Sequence, residues 1–117
     1  MIEISAKEKF EAHTQALKRV YVQSFPAKKR AMSTCWQRLQ QHEFDRMAAV
    51  ELAQLAHKLA GSGGSYGLPR ISHAASNVES ELKLVLTENK ISPETESRIE
   101  VLLGRLYRSM VEGSAFN

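Results

Sequence analysis

A histidine that is followed by a series of glycines is the part of this sequence best suited to chemistry. His57 lies in an apolar run with helical spacing, and the glycines that follow it are Gly61, Gly63, Gly64 and Gly67. A neutral imidazole nitrogen is available near pH 7 as a nucleophile, and the phosphoramidate that it forms can pass its phosphoryl group on. Each glycine inside a helix costs about 1 kcal/mol relative to alanine, so the series is expected to have a use. We therefore predict reversible phosphorylation at His57.

The helical face that carries His57 is predicted to point away from the core. At about 100° per residue, the apolar residues that share the opposite face are Ala48, Leu52, Leu55 and Leu59. The residues around His57 are mostly small: Val50, Ala53, Ala60, Gly61 and Gly64. Two uses of the glycines follow, namely close helix packing or room beside His57 for a phosphoryl group and an incoming protein. An ordinary exposed or hydrogen-bonded histidine is the alternative.

Other kinds of site fit the motifs less well. No strand is predicted before the glycines and no Gly-Lys-Ser/Thr sequence ends them, so a phosphate-binding loop is not expected. The spacing also lacks the Gly-x-Gly-x-x-Gly dinucleotide pattern. A zinc site of the His-Glu-x-x-His type is excluded locally, because Ala53 and Gly61 stand four residues before and after His57.

The histidine segment resembles the signature of histidine-containing phosphotransfer (HPt) domains. In that signature, glycines lie four, seven and ten residues after the histidine along one helix of a four-helix bundle; the matching residues here are Ala56, His57, Leu59, Gly61, Gly64 and Gly67. The resemblance is sharpest from about Leu52 to Glu79. The sequence departs from the family at Ala60, where many members carry a lysine that neutralises phosphate charge. Lys58 is the nearest replacement, but it sits about 100° away round the helix.

The resemblance implies a phosphorelay intermediate of a two-component system. His57 would accept a phosphoryl group through Nε2 from the aspartyl phosphate of a response-regulator receiver domain and would pass it to another receiver. Gly61 and Gly64 would leave space for the receiver, while Lys58 and Ser62 would assist through charge or hydrogen bonds. The receiver would hold Mg²⁺, so the chain itself is expected to need no cofactor and no metal. A hybrid sensor histidine kinase is the other implied partner.

One other function stays open at the level of sequence. The sequence has no Walker-type loop and no candidate ATP-binding domain, so we expect a phosphocarrier without kinase activity of its own rather than an enzyme. Because Ala60 replaces the usual lysine, the alternative is a helical adaptor that binds a kinase or a receiver without being phosphorylated. The two functions differ in whether His57 becomes labelled when the complex forms.

Length and composition indicate a single globular domain over residues 1–117, with 43% hydrophobic and 25% charged residues. No apolar run approaches the roughly 20 residues of a membrane span, and no secretion signal is evident. The single cysteine, Cys35, shares a helical stripe with Met32, Trp36 and Leu39, which favours core packing over a role as a thiol nucleophile. A lone cysteine agrees with a reducing compartment, and we expect a cytoplasmic protein.

The charge of the chain predicts neither nucleic acid nor membrane as a partner. The net charge is +3, and the densest basic cluster, Lys28-Lys29-Arg30, is short and lacks interleaved aromatic residues. A moderately positive surface suits an encounter with an acidic partner, such as the acidic pocket of a receiver domain.

Helical periodicity accounts for the N-terminal third of the chain. The first helix should begin at Ser5, with Glu8 completing a capping box, and run to about Ser24. Its apolar stripe comprises Phe10, His13, Leu17, Val20 and Tyr21, and His13 is expected to be partly buried. Pro26 either starts a second helix or kinks a continuous one. The stripe that contains Cys35 then ends near Gln41.

The rest of the chain predicts three further helices. The third is capped by Asp45, runs toward Tyr66 and stops at Gly67-Leu68-Pro69. The fourth carries a clean stripe of Ile71, Ala75, Val78, Leu82 and Val85, with His73 on its wet side. The last starts at Ser92-Pro93, buries Ile99, Leu102, Leu103, Leu106 and Met110, and should end at Gly113. We therefore predict an all-α, antiparallel up-down four-helix bundle with an additional or kinked N-terminal helix.

Overall fold

A computed structural model describes residues 5–114, and these residues form helices with no strand. The helices are α1 (Ala6–Gln23), α2 (Phe25–Leu39), α3 (Arg46–Gly63), α4 (Pro69–Glu88) and α5 (Pro93–Ser114). Short connections make the sequential helices from α2 to α5 antiparallel neighbours, and these four helices form the bundle. The predicted all-α bundle with an extra or kinked N-terminal helix is confirmed.

The first two helices are the two halves of one bent helix. Ser24, between them, has a near-helical backbone with φ of −80° and ψ of −11°. Its N–H donates to the carbonyl of Tyr21 at 3.1 Å, and its own carbonyl accepts from the N–H of Lys28 at 3.1 Å. Pro26 lies in the first turn of α2, where its missing N–H removes no helical hydrogen bond. The chain therefore bends at Ser24 rather than breaking into a loop.

Side-chain caps begin the helices where the sequence placed them. Ser5 Oγ accepts from the N–H of Glu8 at 3.1 Å, and Asp45 Oδ1 accepts from the N–H of Ala48 at 3.0 Å. The hydrogen bond from Ala48 is the main reason that the pKa of Asp45 lies below its usual value. Because the folded pKa is the lower one, this cap stabilises the fold at neutral pH, and its contribution is lost as the pH falls through that folded pKa.

The stripes of the four bundle helices meet in one core. The largest fully buried side chains are Met32, Leu39, Leu52, Leu59, Ile71, Leu82, Ile99, Leu106, Val78 and Val85. Backbones approach most closely between α3 and α4, whereas α2 and α5 are bridged by longer side chains. The hydroxyls of Ser33 and Tyr107 lie 3.4 Å apart, and Lys29 Nζ lies 5.2 Å from the centre of the Tyr107 ring. The bundle is thus tightest beside the helix that carries His57.

Helix α3 ends in a glycine motif close to the predicted stop. Gly67 has a φ of +75°, which only glycine adopts readily, and its N–H donates to the carbonyl of Gly64 at 3.1 Å. The N–H of Leu68 reaches back to the carbonyl of Gly63 at 2.8 Å. This pair of bonds is the Schellman arrangement, and it turns the chain sharply into α4.

Two predictions made from the sequence, the burial of His13 and the end of α5 at Gly113, are wrong. His13 is exposed rather than partly buried, because the part of α1 that carries it does not lie against the bundle. Gly113 does not end α5, which continues to Ser114. A Cβ atom on Gly113 would lie 3.3 Å from Ile71 Cδ1 and 3.4 Å from Leu68 Cδ2. This glycine therefore allows α5 to pack closely on the start of α4.

Candidate functional site

The imidazole of His57 stands on the outer face of α3 with 73% of its side chain exposed. Its Nδ1 atom lies 2.8 Å from Oε2 of Glu79, which projects from α4. The Glu79 side chain is only 16% exposed, so the carboxylate is held between the two helices while the ring reaches solvent. The ring is therefore fixed on one side and open on the other.

The contact with Glu79 determines which nitrogen of His57 is free. An ionised carboxylate can only accept hydrogen bonds, so the proton of a neutral imidazole lies on Nδ1. Nε2 then carries the lone pair on the exposed side of the ring. A nucleophilic nitrogen that is accessible to a second molecule is the chemical feature that this arrangement provides.

A shallow depression between α3 and α4 surrounds the imidazole. Its lining residues are Val50, Ala53, Gln54, His57, Lys58, Glu79, Lys83 and Leu86. Two cations, Lys58 from α3 and Lys83 from α4, thus border the same surface as the exposed ring. A negatively charged group placed at Nε2 would be within the field of both.

The glycines that follow His57 have different structural roles. At Gly61 and at Gly64, both exposed, an added Cβ would meet no described atom within 4 Å. At Gly63 the added Cβ would lie 2.9 Å from the backbone nitrogen of Ser72 and 3.1 Å from the carbonyl oxygen of Leu68. Gly63 is therefore required by the contact between α3 and α4. Gly61 and Gly64 leave open space on the surface of α3.

The comparison with protein families agrees with this geometry. A family model described as the Hpt domain matches residues 16–112. The chain belongs to the Hpt domain family. Members of this family are phosphocarriers in histidine phosphotransfer relays, where they work with response-regulator receiver domains and kinases. No curated protein and no solved structure shows significant similarity to the chain.

Ser62 in this Hpt domain is engaged away from the imidazole. Its hydroxyl donates to the carbonyl of Lys58 at 2.7 Å and lies 2.7 Å from the hydroxyl of Tyr21. The Tyr21 ring stacks on Tyr66 with 4.2 Å between ring centres, and Lys28 Nζ lies 4.2 Å above it. Burial raises the pKa of Tyr21, which therefore stays a neutral phenol. In this structure Ser62 fastens the bent helix to the end of α3.

Two charged residues of the depression, Glu79 and Lys83, were not predicted from the sequence as part of the site. No local spacing connects them to a histidine 22 or more positions earlier. One signal was available: Glu79 directly follows Val78 of the buried stripe, which places it at the edge of the contact between α4 and its neighbours. The sequence does not show which helix Glu79 packs against or which residue of that helix it contacts.

Other candidate groups of the Hpt domain lie elsewhere. Cys35 is buried in the core as predicted, and burial raises the pKa of its thiol. His73 is exposed on α4, also as predicted. Within residues 5–114, His, Cys, Asp and Glu side chains do not gather in groups of three that could hold a metal ion. None of the helices in that same range is both long and apolar enough to cross a membrane.

Proposed function

We propose that His57 is the phosphoacceptor of a phosphorelay. It takes a phosphoryl group from the aspartyl phosphate of one receiver domain and passes it to another receiver. The observation that carries this proposal is the ring geometry, with Nδ1 bound to Glu79 and the opposite side of the ring open to solvent. The open surface at Gly61 and Gly64 supports it, since a receiver must approach the ring closely.

The chain and the receiver together supply every group that phosphoryl transfer requires. The lone pair on Nε2 attacks phosphorus, the P–O bond to the aspartyl carboxylate breaks, and the aspartate leaves as a free carboxylate. The phosphorylated ring keeps its Nδ1 proton and becomes cationic. Glu79 then faces a positive ring, which strengthens their hydrogen bond. Transfer to the next receiver reverses these steps. The Mg²⁺ ion that screens the phosphoryl charge belongs, in this proposal, to the receiver.

The direct test is phosphoryl transfer in solution. The full chain is mixed with a receiver domain that carries a labelled aspartyl phosphate and Mg²⁺, and label on the chain is followed with time. We expect acid-labile, alkali-stable label, as a phosphohistidine requires, and its departure when an unlabelled receiver is added. A chain that binds the receiver while remaining unlabelled would instead be the non-phosphorylated adaptor.

Glu79 gives the first quantitative prediction. Glu79→Ala should slow transfer by about 10- to 100-fold, the size of effect seen when the carboxylate that orients a metal-bound histidine is removed. Glu79→Gln should retain most of the rate, since its amide oxygen can still accept the Nδ1–H hydrogen bond. Stopped-flow transfer rates measure both variants. Glu88→Ala, an exposed carboxylate near the end of α4, is the matched control. A wild-type rate for Glu79→Ala would remove Glu79 from the mechanism.

The two lysines of the depression give the second prediction. We propose that Lys58 and Lys83 together neutralise the phosphoryl group in place of the family lysine that is absent at Ala60. The double variant Lys58→Ala, Lys83→Ala should lower the transfer rate by about tenfold or more, less at high ionic strength because exposed charges are screened. The double variant Lys7→Ala, Lys90→Ala removes two exposed lysines that lie outside the depression and is the control for net charge. Equal rates for the two double variants would rule this role out.

A further inference from the structure

Helix α1 extends well beyond the bundle, and this extension has no place in the phosphotransfer mechanism. The longest dimension of the described chain is 66 Å, against 21 Å in the other two directions. A 22-residue helix such as α5 is about 33 Å long, so the long dimension exceeds the length of one bundle helix. Residues 6–17 are exposed throughout, and we call them the arm. The family match begins only at residue 16.

The arm carries an apolar stripe that the bundle does not cover. Phe10 is 70% exposed, Leu17 is 46% exposed, and Val20, at the foot of the arm, is 65% exposed. With His13 they recur at spacings of three, four and three residues, which is the a/d pattern of a two-helix coiled coil. An isolated helix of this length is marginal in water, since most helical stability in proteins comes from packing of an apolar face. The exposed apolar stripe therefore indicates that the arm packs against another helix.

The part of α1 that follows the arm is held against the bundle, so the apolar stripe points in a fixed direction. Tyr21 is held there by its stacking on Tyr66 and by its hydroxyl contact with Ser62. Lys18, one position beyond the arm, borders a groove formed by the start of α4 and the end of α5. A helix held in this way has lost much of its freedom before it binds, which lowers the entropic cost of association.

We propose that the partner is a second copy of this chain, paired antiparallel along the two arms. In antiparallel coiled coils, a positions of one helix pack against d positions of the other. Setting Phe10 opposite the second copy's Val20 also sets His13 opposite the second copy's Leu17, and the two-fold axis repeats both layers. All four stripe positions are thus used in a single register. The stripe is self-complementary, as the interface of a symmetric dimer must be.

The residues that flank the stripe are compatible with this pairing. At the centre of the register, Ala16 and Thr14 of each copy face their own counterparts, and these small side chains let the helices approach. Lys9 comes opposite Gln23, so no like charges oppose each other at that position. The antiparallel arrangement also places the two bundles at opposite ends of the paired arms. The depression between α3 and α4 that contains His57 lies outside the paired arms.

The oligomeric state of the full chain tests the proposal. We expect sedimentation velocity to show a monomer–dimer equilibrium over a concentration series that reaches about 100 μM. Val20→Glu should weaken the dimer by about tenfold or more, because it places a charge opposite Phe10 of the second copy in an apolar layer. Val101→Glu, which alters an exposed valine on α5, should leave the equilibrium unchanged. A wild-type chain that stays monomeric, or a dimer that is insensitive to Val20→Glu, would overturn the proposal.

Cysteine cross-linking tests the direction of the pairing. The single variants His13→Cys and Leu17→Cys are oxidised separately and as a mixture, with wild type as the control for the buried Cys35. Antiparallel pairing predicts a mixed disulfide between the two variants that exceeds either self-linked species. Self-linked species that exceed the mixed one would show that the arms are parallel and would overturn the register proposed here. Both outcomes are independent of phosphorylation at His57.

Discussion

Replacing His57 with glutamine is expected to abolish phosphoryl acceptance, with a fall in labelling of at least about 10³-fold, because the variant has no nucleophilic nitrogen to attack phosphorus. The side chain is 73% exposed and lies outside the core, so the fold should be unaffected. The measurement is the transfer of label from a phosphorylated receiver in the presence of Mg²⁺. Circular dichroism and thermal unfolding verify that the variant is folded.

The matched control for this prediction is His73→Gln. His73 is also exposed and also helical, but it lies on α4 and does not line the depression around His57. Its replacement should leave transfer at the wild-type rate. If His57→Gln were labelled as fast as wild type, the phosphoacceptor would have to be another residue. If label were lost equally in both variants, the effect would not be specific to the proposed site.

Replacing Gly63 with alanine should destabilise the fold by about 1–3 kcal/mol, the range usual for overpacked sites. The new methyl group would lie 2.9 Å from the backbone nitrogen of Ser72, and a backbone atom cannot move aside as a side chain can. The hydroxyl of Ser72 also donates to the carbonyl of Ala60, so displacement of α4 would strain a second contact. Urea denaturation measures the change in the free energy of unfolding.

Gly61→Ala is the matched control, because the same mutation is made two residues earlier on the same helix. An added Cβ there meets no described atom within 4 Å. Alanine is favoured over glycine in a helix by about 1 kcal/mol, so this variant should be as stable as wild type or more stable. The two substitutions should therefore shift the unfolding midpoint in opposite directions. Equal stabilisation by both would mean that helix propensity, not the contact with α4, determines the effect.

Local sequence patterns determined most of the fold. The stripe on α4 and the stripe around Cys35 both proved buried, because helical periodicity alone specifies which face of a helix is apolar. The caps at Ser5, Asp45 and Ser92 were predicted because each acts within one turn of the chain. The exposure of His57 followed from the same periodicity. That residues 1–117 form one domain stays a prediction.

Only the tertiary structure decided what each face meets. The periodicity of α1 predicts an apolar stripe, but it does not say whether the bundle covers it, and His13 proved exposed for that reason. The glycines near His57 look equivalent in sequence, yet only Gly63 is required by contact with α4. Glu79 became the partner of Nδ1 through the register between α3 and α4. A contact between helices depends on their offset and rotation, which the spacing within one helix does not encode, whereas the face on which His57 lies depends on that spacing alone.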